Sequence, residues 1–175
     1  MPSASYVVRP LGPQDRDGLA AAFERLSPQS RFRRFMGPKT ALSARELTYF
    51  TDIDHVVHEA IVAAEPLSGR LIGVARYAIN PGDEVSADVA VVIADEWQRR
   101  GVGTVLMRRI IERARANGFE RLTAETLWDN EGARALLCRL GFEVLRTRRG
   151  IAELELWLRA RTAGSVGTPP WSSVS

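Results

Sequence analysis

The chain has 175 residues, of which 45% are hydrophobic and 26% charged, a composition that is typical of one folded domain and excludes a disordered chain. Its 24 basic and 21 acidic residues leave a net charge of +3, without the basic run interleaved with aromatic residues that indicates nucleic-acid binding. No apolar run approaches the roughly 20 residues that span a bilayer, and the N-terminal residues lack the pattern of a secretory signal.

The single cysteine, Cys138, cannot form a disulfide within the chain, which fits a reducing compartment. We therefore predict a cytoplasmic protein with no nucleic-acid and no membrane partner. A monomer and a homodimer both fit the sequence.

The first half of the chain predicts one short strand, three helices and a three-stranded meander. The strand covers residues 6–10, and helices start near Gln14, at Ser27-Pro28 and after Ser43. The sequence Ser43-Ala44-Arg45-Glu46 is a capping box, in which the serine and glutamate satisfy free amides at a helix start. The predicted meander strands cover residues 60–64, 71–77 and 87–94.

The second half predicts helices that alternate with strands. A long helix opens at Gly101 and Gly103 and stops at Asn117-Gly118, a good left-handed end. The remaining predicted elements are a strand over 122–127, a helix over 130–140 and strands over 142–145 and 151–158. This order predicts an α+β (mixed α/β) domain over residues 1–161. Residues 162–175 are rich in Ser, Gly and Pro and predict a flexible tail.

The segment from Val89 to Thr104 carries the strongest chemical signal. A buried strand runs into Gln98-Arg99-Arg100-Gly101-Val102-Gly103, and a helix follows at once. The unpaired amides of a helix start hold phosphate well, and glycines let an anion come close to the backbone. A glycine turn that merely starts a helix explains an isolated Gly-x-Gly equally well. The segment is no P-loop, and Leu106 stands where a dinucleotide-binding motif has its third glycine.

Residues 98–103 resemble the Q/R-x-x-G-x-G/A acyl-CoA signature of the GNAT N-acetyltransferase superfamily. Asn130-x-x-Ala133-x-x-Leu136, followed by Gly141-Phe142, resembles the later motif of that family, so the resemblance covers residues 58–146. It implies the acyl-CoA N-acyltransferase fold, a mostly antiparallel twisted sheet flanked by helices. It also implies an enzyme that uses acetyl-CoA, and no metal, to acetylate a primary amine by direct attack in a ternary complex.

The resemblance also implies which residues hold the cofactor. Backbone amides from about Arg99 to Thr104, here called the glycine loop, would hold the pyrophosphate. The main chain at the end of the preceding strand would pair with pantetheine. An amide near this stretch would polarise the thioester carbonyl. Asn130 would bind the cofactor arm, cap its helix, or do both. The predicted cofactor-binding residues are Val92, Ile93, Ala94, Gln98, Arg99, Arg100, Gly101, Val102, Gly103, Thr104 and Asn130.

A general base must take a proton from the acceptor ammonium. Asp88 lies at the start of the central strand, where related enzymes often carry a glutamate, and a partly shielded cleft would raise its pKa toward the working range. An ordinary carboxylate at a strand edge is the alternative interpretation. Glu84 in the preceding loop, His55 and His58 are rival bases, although a histidine beside a strand is more often a structural hydrogen-bonding residue.

One position departs from the family pattern. Leu137 stands where many members have a tyrosine that donates a proton to the leaving thiolate. Since thiols ionise near pH ~8.5 and amines near ~10.4, the thiolate can leave without a dedicated acid. The neighbouring Cys138 points elsewhere, about 100° around the helix, and is predicted to be a buried apolar residue.

The region before the second strand resembles the acetyltransferase domain of bacterial Pat-type protein lysine acetyltransferases. The matching residues are Ser27, Ser30, Arg34, Phe35, Leu42, Ser43, Glu46, Leu47, Asp52 and Asp54. Asp52 and Asp54 either attract a cationic lysine or shape the turn after a helix. The resemblance favours a protein lysine as the acceptor. The alternatives are a small amine, such as a polyamine, aminoglycoside or amino acid, and a silent acyl-CoA-binding regulatory module.

Overall fold

In the computed structural model, which describes residues 5–158, seven strands form one sheet. In chain order the strands are β1 (Val7–Pro10), β2 (His58–Ala64), β3 (Leu71–Asn80), β4 (Asp83–Ile93), β5 (Arg121–Leu127), β6 (Glu143–Arg148) and β7 (Ile151–Trp157). The helices are α1 (Arg16–Arg25), α2 (Pro28–Phe35), α3 (Ala44–Thr51), α4 (Val102–Ala116) and α5 (Glu131–Arg139). Short 3-10 turns cover Pro13–Asp15 and Asp95–Trp97.

The strands lie in the order β1-β2-β3-β4-β5-β7-β6, and within residues 5–158 β4 and β5 are the only parallel neighbours. The mostly antiparallel mixed α+β fold confirms the prediction. The capping box is confirmed as well, because the Ser43 hydroxyl accepts from the Glu46 amide and Glu46 accepts from the Ser43 amide. The predicted tail over 162–175 lies outside the described residues.

The start of β4 was predicted wrongly, and β3 and β6 each extend three residues beyond their predicted ends at residues 77 and 145. The sequence predicts a turn over 81–83 and a strand from residue 87, whereas β4 begins at Asp83. The turn needs only Pro81 and Gly82, because Gly82 adopts a left-handed φ of 77° and Asn80 pairs directly with Asp83. Glu84 therefore lies in a strand and not in a loop.

The sheet has an apolar core on each face. On one face α4 buries Leu106, Met107 and Ile110 against β4 residues such as Val89. On the other face α1 and α3 cover a cluster that includes Val62 and Val74, and α2 packs over β4. Because side chains alternate along a strand, Asp88 and Ala90 project from the face that α1, α2 and α3 cover.

The centre of the sheet splits open between its parallel strands. β4 and β5 pair over three positions, from Ser86 and Arg121 to Asp88 and Thr123. β4 then continues beside β3 as far as Ile93, while β5 stays paired with β7 as far as Leu127. Residues 89–93 therefore present one backbone edge to the gap between the diverging strands. Within residues 5–158 no helix has the length and apolarity needed to cross a bilayer.

Candidate active site

A groove of about 890 Å³ occupies the gap between β4 and β5 and extends to the starts of α4 and α5. Residues 89–93 line one side of it and residues 124–126 line the other. The predicted cofactor-binding residues that line the groove are Val92, Ile93, Gln98, Arg99, Gly101, Gly103, Thr104 and Asn130. The structure thus brings together segments that the sequence analysis linked only by resemblance.

Three predicted cofactor-binding residues do not line the groove with their side chains. Ala94 and Val102 are buried in the core, because they anchor the end of the strand and the start of the helix. Arg100 lies outside, with its guanidinium 5.6 Å from the centre of the Trp97 ring. Any contact of Ala94 and Val102 with the cofactor is therefore restricted to their backbone atoms.

The glycine loop leaves the first amides of α4 free. Gly101 caps this helix in a left-handed conformation with φ 83° and without a side-chain hydrogen bond. Arg99 is also left-handed, with φ 60°. The first turn of α4 contains no acidic residue, so the positive end of the helix dipole is not neutralised. These features suit a phosphate group.

Gly103 is needed because the start of α4 lies close to its neighbours. A Cβ added there would lie 3.3 Å from Leu136 Cδ2 and 3.7 Å from Ile93 Cγ1. A larger side chain would displace Leu136 or extend into the groove.

An acidic residue that the sequence analysis missed ties α2 to the glycine loop. Asp95 accepts hydrogen bonds from the Ser27 and Ser30 hydroxyls, both at 2.8 Å, and from the Ser27 amide at 3.0 Å. Gln98 Nε2 donates to Ser30 Oγ at 3.2 Å and to the Ile93 carbonyl at 3.1 Å. Both serines belong to the segment that resembles Pat-type domains, and their common partner lies more than sixty residues away in the chain.

Asp88 lies at the last position where β4 pairs with β5. It precedes Val89, the first β4 residue that lines the groove, and is not itself one of the lining residues. Thr123 Oγ1 donates a hydrogen bond to Asp88 Oδ1 at 3.2 Å. Burial by surrounding protein atoms raises the pKa of Asp88 to about 6, with a further contribution from Glu125, while the Thr123 hydrogen bond and Arg34 oppose the rise. Asp88 is nevertheless exposed at the protein surface, so water reaches the carboxyl and screens part of this rise.

The other candidate bases are less well placed. Glu84 is exposed and lies toward the paired end of β4, away from the groove. His58 stacks on Tyr49 with ring centres 4.9 Å apart. Its Nε2 lies 3.3 Å from an Arg76 nitrogen and accepts, since arginine only donates. Burial and the Arg76 charge lower the pKa of His58.

His55 contacts a buried carboxylate away from the groove, with its Nδ1 2.7 Å from Glu59 Oε1. Both histidines therefore make structural contacts, which is the more common role of a histidine beside a strand. Asp54 shapes a turn, because its Oδ1 accepts from the amides of residues 56, 57 and 58 at 2.9–3.0 Å. Burial favours the neutral form of this carboxyl, but those hydrogen bonds keep the pKa of Asp54 below its usual range.

Helix α5 supplies part of the groove wall. Asn130 caps it, with Oδ1 accepting from the Ala133 amide at 3.3 Å, and Leu137 is buried in the wall. Leu137 has no proton to donate. Cys138 is exposed, so the prediction that it is buried is wrong. Only one face of α5 packs against the domain, and the residue after Leu137 is rotated away from that face.

Comparisons with known proteins agree with this geometry. The sequence model of the Acetyltransferase (GNAT) family matches residues 23–142. An acetyltransferase from Pseudomonas aeruginosa is 38% identical over 138 residues, covering 78% of this chain and 74% of that protein. Acetyltransferase Pat from Mycolicibacterium smegmatis is 29% identical over 151 residues, which are 86% of this chain and 45% of that protein.

The crystal structure of the GNAT domain of S. lividans PAT superimposes with a TM-score of 0.80 at 30% identity, covering 86% of this chain and 89% of that one. The family uses acetyl-CoA, which fits a groove with free helix-start amides and an open strand edge. The chain therefore belongs to the GNAT family of acetyl-CoA-dependent N-acetyltransferases, and acetyltransferase domains of Pat proteins are among its relatives.

Proposed function

We propose that this chain acetylates the side-chain amine of a protein lysine by direct attack in a ternary complex, with Asp88 as the general base. One observation carries the proposal. The Asp88 carboxyl, whose pKa is raised to about 6, lies where β4 and β5 separate and the groove begins. A base at that point adjoins residues 89–93, a stretch of β4 that has no β5 partner and lines the groove.

The residues that would hold acetyl-CoA follow from the groove. The free amides around Gly101 and Gly103 would bind the pyrophosphate. The open edge of residues 89–93 would pair with the pantetheine arm, and Asn130 would contact the same arm while it caps α5. Bound acetyl-CoA would supply the acetyl thioester.

Asp88 would accept the proton that the acceptor ammonium loses. A base with a pKa near 6 is deprotonated at neutral pH and still basic enough to take a proton. Its exposed side allows the proton to move through one water molecule. No acid is assigned to the leaving thiolate, because Leu137 cannot supply one and a thiolate is a sufficiently stable leaving group.

The choice of lysine is supported by the similarity to Pat acetyltransferases. A small amine is the second candidate. It is favoured by a compact, mainly apolar cavity of about 50 Å³ beside β4. The cytoplasm remains the predicted location, based on the single cysteine.

The proposal is tested by mass spectrometry of lysine acetylation across purified proteins, with acetyl-CoA synthetase among them. Site-specific acetylation that falls strongly in Asp88→Asn but not in Glu84→Gln supports it. Equal acetylation by both variants would move the base away from Asp88. If proteins stay unmodified while small amines drive CoA release, the small-amine candidate replaces lysine. If no amine drives CoA release, the proposal is wrong.

A further inference from the structure

Two arginines lie close to the proposed base, on the face of the sheet that α1, α2 and α3 cover. Arg76 on β3 is directly opposite Ala90 in the antiparallel register. Ala90 and Asp88 are two residues apart on β4, so Arg76 and Asp88 project from the same face as diagonal neighbours. Arg34 lies on α2, which packs over β4, and is near enough for its charge to lower the pKa of Asp88.

Neither arginine forms a direct ion pair with a carboxylate of the described residues, although the charge of Asp88 acts on Arg34 from a longer distance. Arg76 is only 8% exposed, and its guanidinium donates to His58 Nε2 at 3.3 Å and to the Phe50 carbonyl at 3.4 Å. It also lies 4.3 Å from the centre of the Phe50 ring. The Arg34 guanidinium lies 5.1 Å from the centre of the Phe35 ring. In the part of the chain that the structure describes, no ion pair reaches either group.

Arg76 is buried whereas Arg34 is partly exposed, so the cost of an incomplete site falls mainly on Arg76 unless an anion completes it. Buried charges are normally paired, because burial removes their hydration. Burial and the neighbouring Arg34 charge lower the pKa of Arg76 to about 9, and burial also lowers the pKa of Arg34. Burial is the largest cause of each shift, and the charge of nearby Asp88 offsets part of the shift of Arg34.

A small cavity connects the arginine pair to the groove. It has a volume of about 50 Å³, and Arg34 and Arg76 lie on its otherwise apolar wall, which includes Phe35, Leu42 and Phe50. Arg34, Ala90 and Val92 line both this cavity and the groove. A space of this size holds a few water molecules or a short apolar group.

We propose that Arg34 and Arg76 bind a carboxylate carried by the amine acceptor, while an apolar part of the acceptor enters the adjoining cavity. Planar guanidinium groups match a carboxylate well. The inference rests on the proposed acetyl transfer and narrows its acceptor to an amine with a nearby acidic group. The carboxylate belongs either to a free amino acid or to an acidic side chain beside a lysine. Polyamines and aminoglycosides are disfavoured, since the pair repels a second cation.

The test compares acceptors that differ only in the carboxylate, using CoA release by the full chain. One pair is L-leucine and L-leucinamide, and the other is a capped Glu-Lys peptide and its Gln-Lys counterpart. The variants are Arg34→Gln and Arg76→Gln, with Arg45→Gln on the exposed surface of α3 as the matched control. The two members of a pair differ in amine pKa. This difference cancels when the ratio of their kcat/KM values is compared between variants.

We expect the wild type and Arg45→Gln to prefer the acid of one pair by about tenfold or more in kcat/KM. That preference should fall to near unity in Arg34→Gln and Arg76→Gln, which still acetylate the uncharged member. Preference within the leucine pair identifies an α-carboxylate, and preference within the peptide pair identifies an acidic neighbour of lysine. No preference in the wild type, or an unchanged preference in both variants, overturns the inference.

A second measurement keeps the test independent of catalysis and of folding. Calorimetry with CoA present compares binding of the acid and of the amide to the wild type, to Arg34→Gln and to Arg76→Lys. Arg76→Lys keeps the buried positive charge and takes the place of Arg76→Gln if that variant does not fold. If no amine drives CoA release, acetyl transfer itself fails, and tighter binding of the acid still supports the anion site. Equal binding of acid and amide overturns it.

Discussion

The titration of Asp88 leads to a quantitative prediction for Asp88→Asn. The pKa of this carboxyl is raised from 3.8 to about 6, chiefly by burial. If Asp88 is the base, kcat/KM falls as pH falls through about 6, and at pH 5 it is about tenfold below its plateau. Asn keeps an oxygen that can accept from Thr123 but cannot take a proton. We therefore expect kcat to fall by about 10²–10⁴ and the titration near 6 to vanish.

The same shift predicts the sign of a stability change. The folded protein holds the Asp88 proton more tightly than the unfolded chain, so stability falls as pH rises from about 4 to about 6. Asp88→Asn removes this penalty. The full shift corresponds to about 3 kcal/mol, but solvent contact of the side chain screens it. We expect a gain of about 1–2 kcal/mol at neutral pH and almost none near pH ~3.5.

The assays are a pH profile of kcat/KM and urea unfolding at two pH values, for the wild type, Asp88→Asn and Glu84→Gln as control. The reasoning fails if Asp88→Asn loses less than about tenfold in kcat and keeps the titration near 6. In that case His58→Gln is the next variant to assay, since His58 also lies on this side of the sheet near Arg76. Equal stability of the wild type and Asp88→Asn at neutral pH would show that burial does not disfavour the charged carboxylate.

Three further predictions follow from neighbouring contacts. Gly103→Leu should weaken CoA binding about tenfold or more in calorimetry, since even a Cβ would lie 3.3 Å from Leu136. Unchanged CoA affinity would refute the role of the glycine loop. Asp95→Ala should lower the free energy of unfolding by about 1–3 kcal/mol, because Ser27 and Ser30 lose their hydrogen-bond acceptor. An unchanged midpoint of urea unfolding would contradict this expectation. Arg34→Gln should move the titration of Asp88 upward, because Arg34 favours its charged form, and a downward shift in the pH profile would reverse that argument.

The sequence predicted what depends on neighbours along the chain. The capping box of Ser43 and Glu46, the glycine loop before α4 and the left-handed end near Gly118 are local patterns, and each is present in the structure. Alternating and four-residue spacings predicted the strands and helices for the same reason. Resemblance in residues 98–103 then indicated an acyl-CoA groove before any strand order was known.

Tertiary structure alone decided how these pieces meet. Ser27 contacts Asp95, 68 residues later in the chain, and Asp88 receives its hydrogen bond from Thr123, 35 residues later. Packing of a single face of α5 exposes Cys138. The separation of β4 from β5 after Asp88 opens the groove, and folding brings Arg34 and Arg76 to one side of it. No local pattern records such distant contacts, because they arise only when separate elements bury their apolar faces against a common sheet.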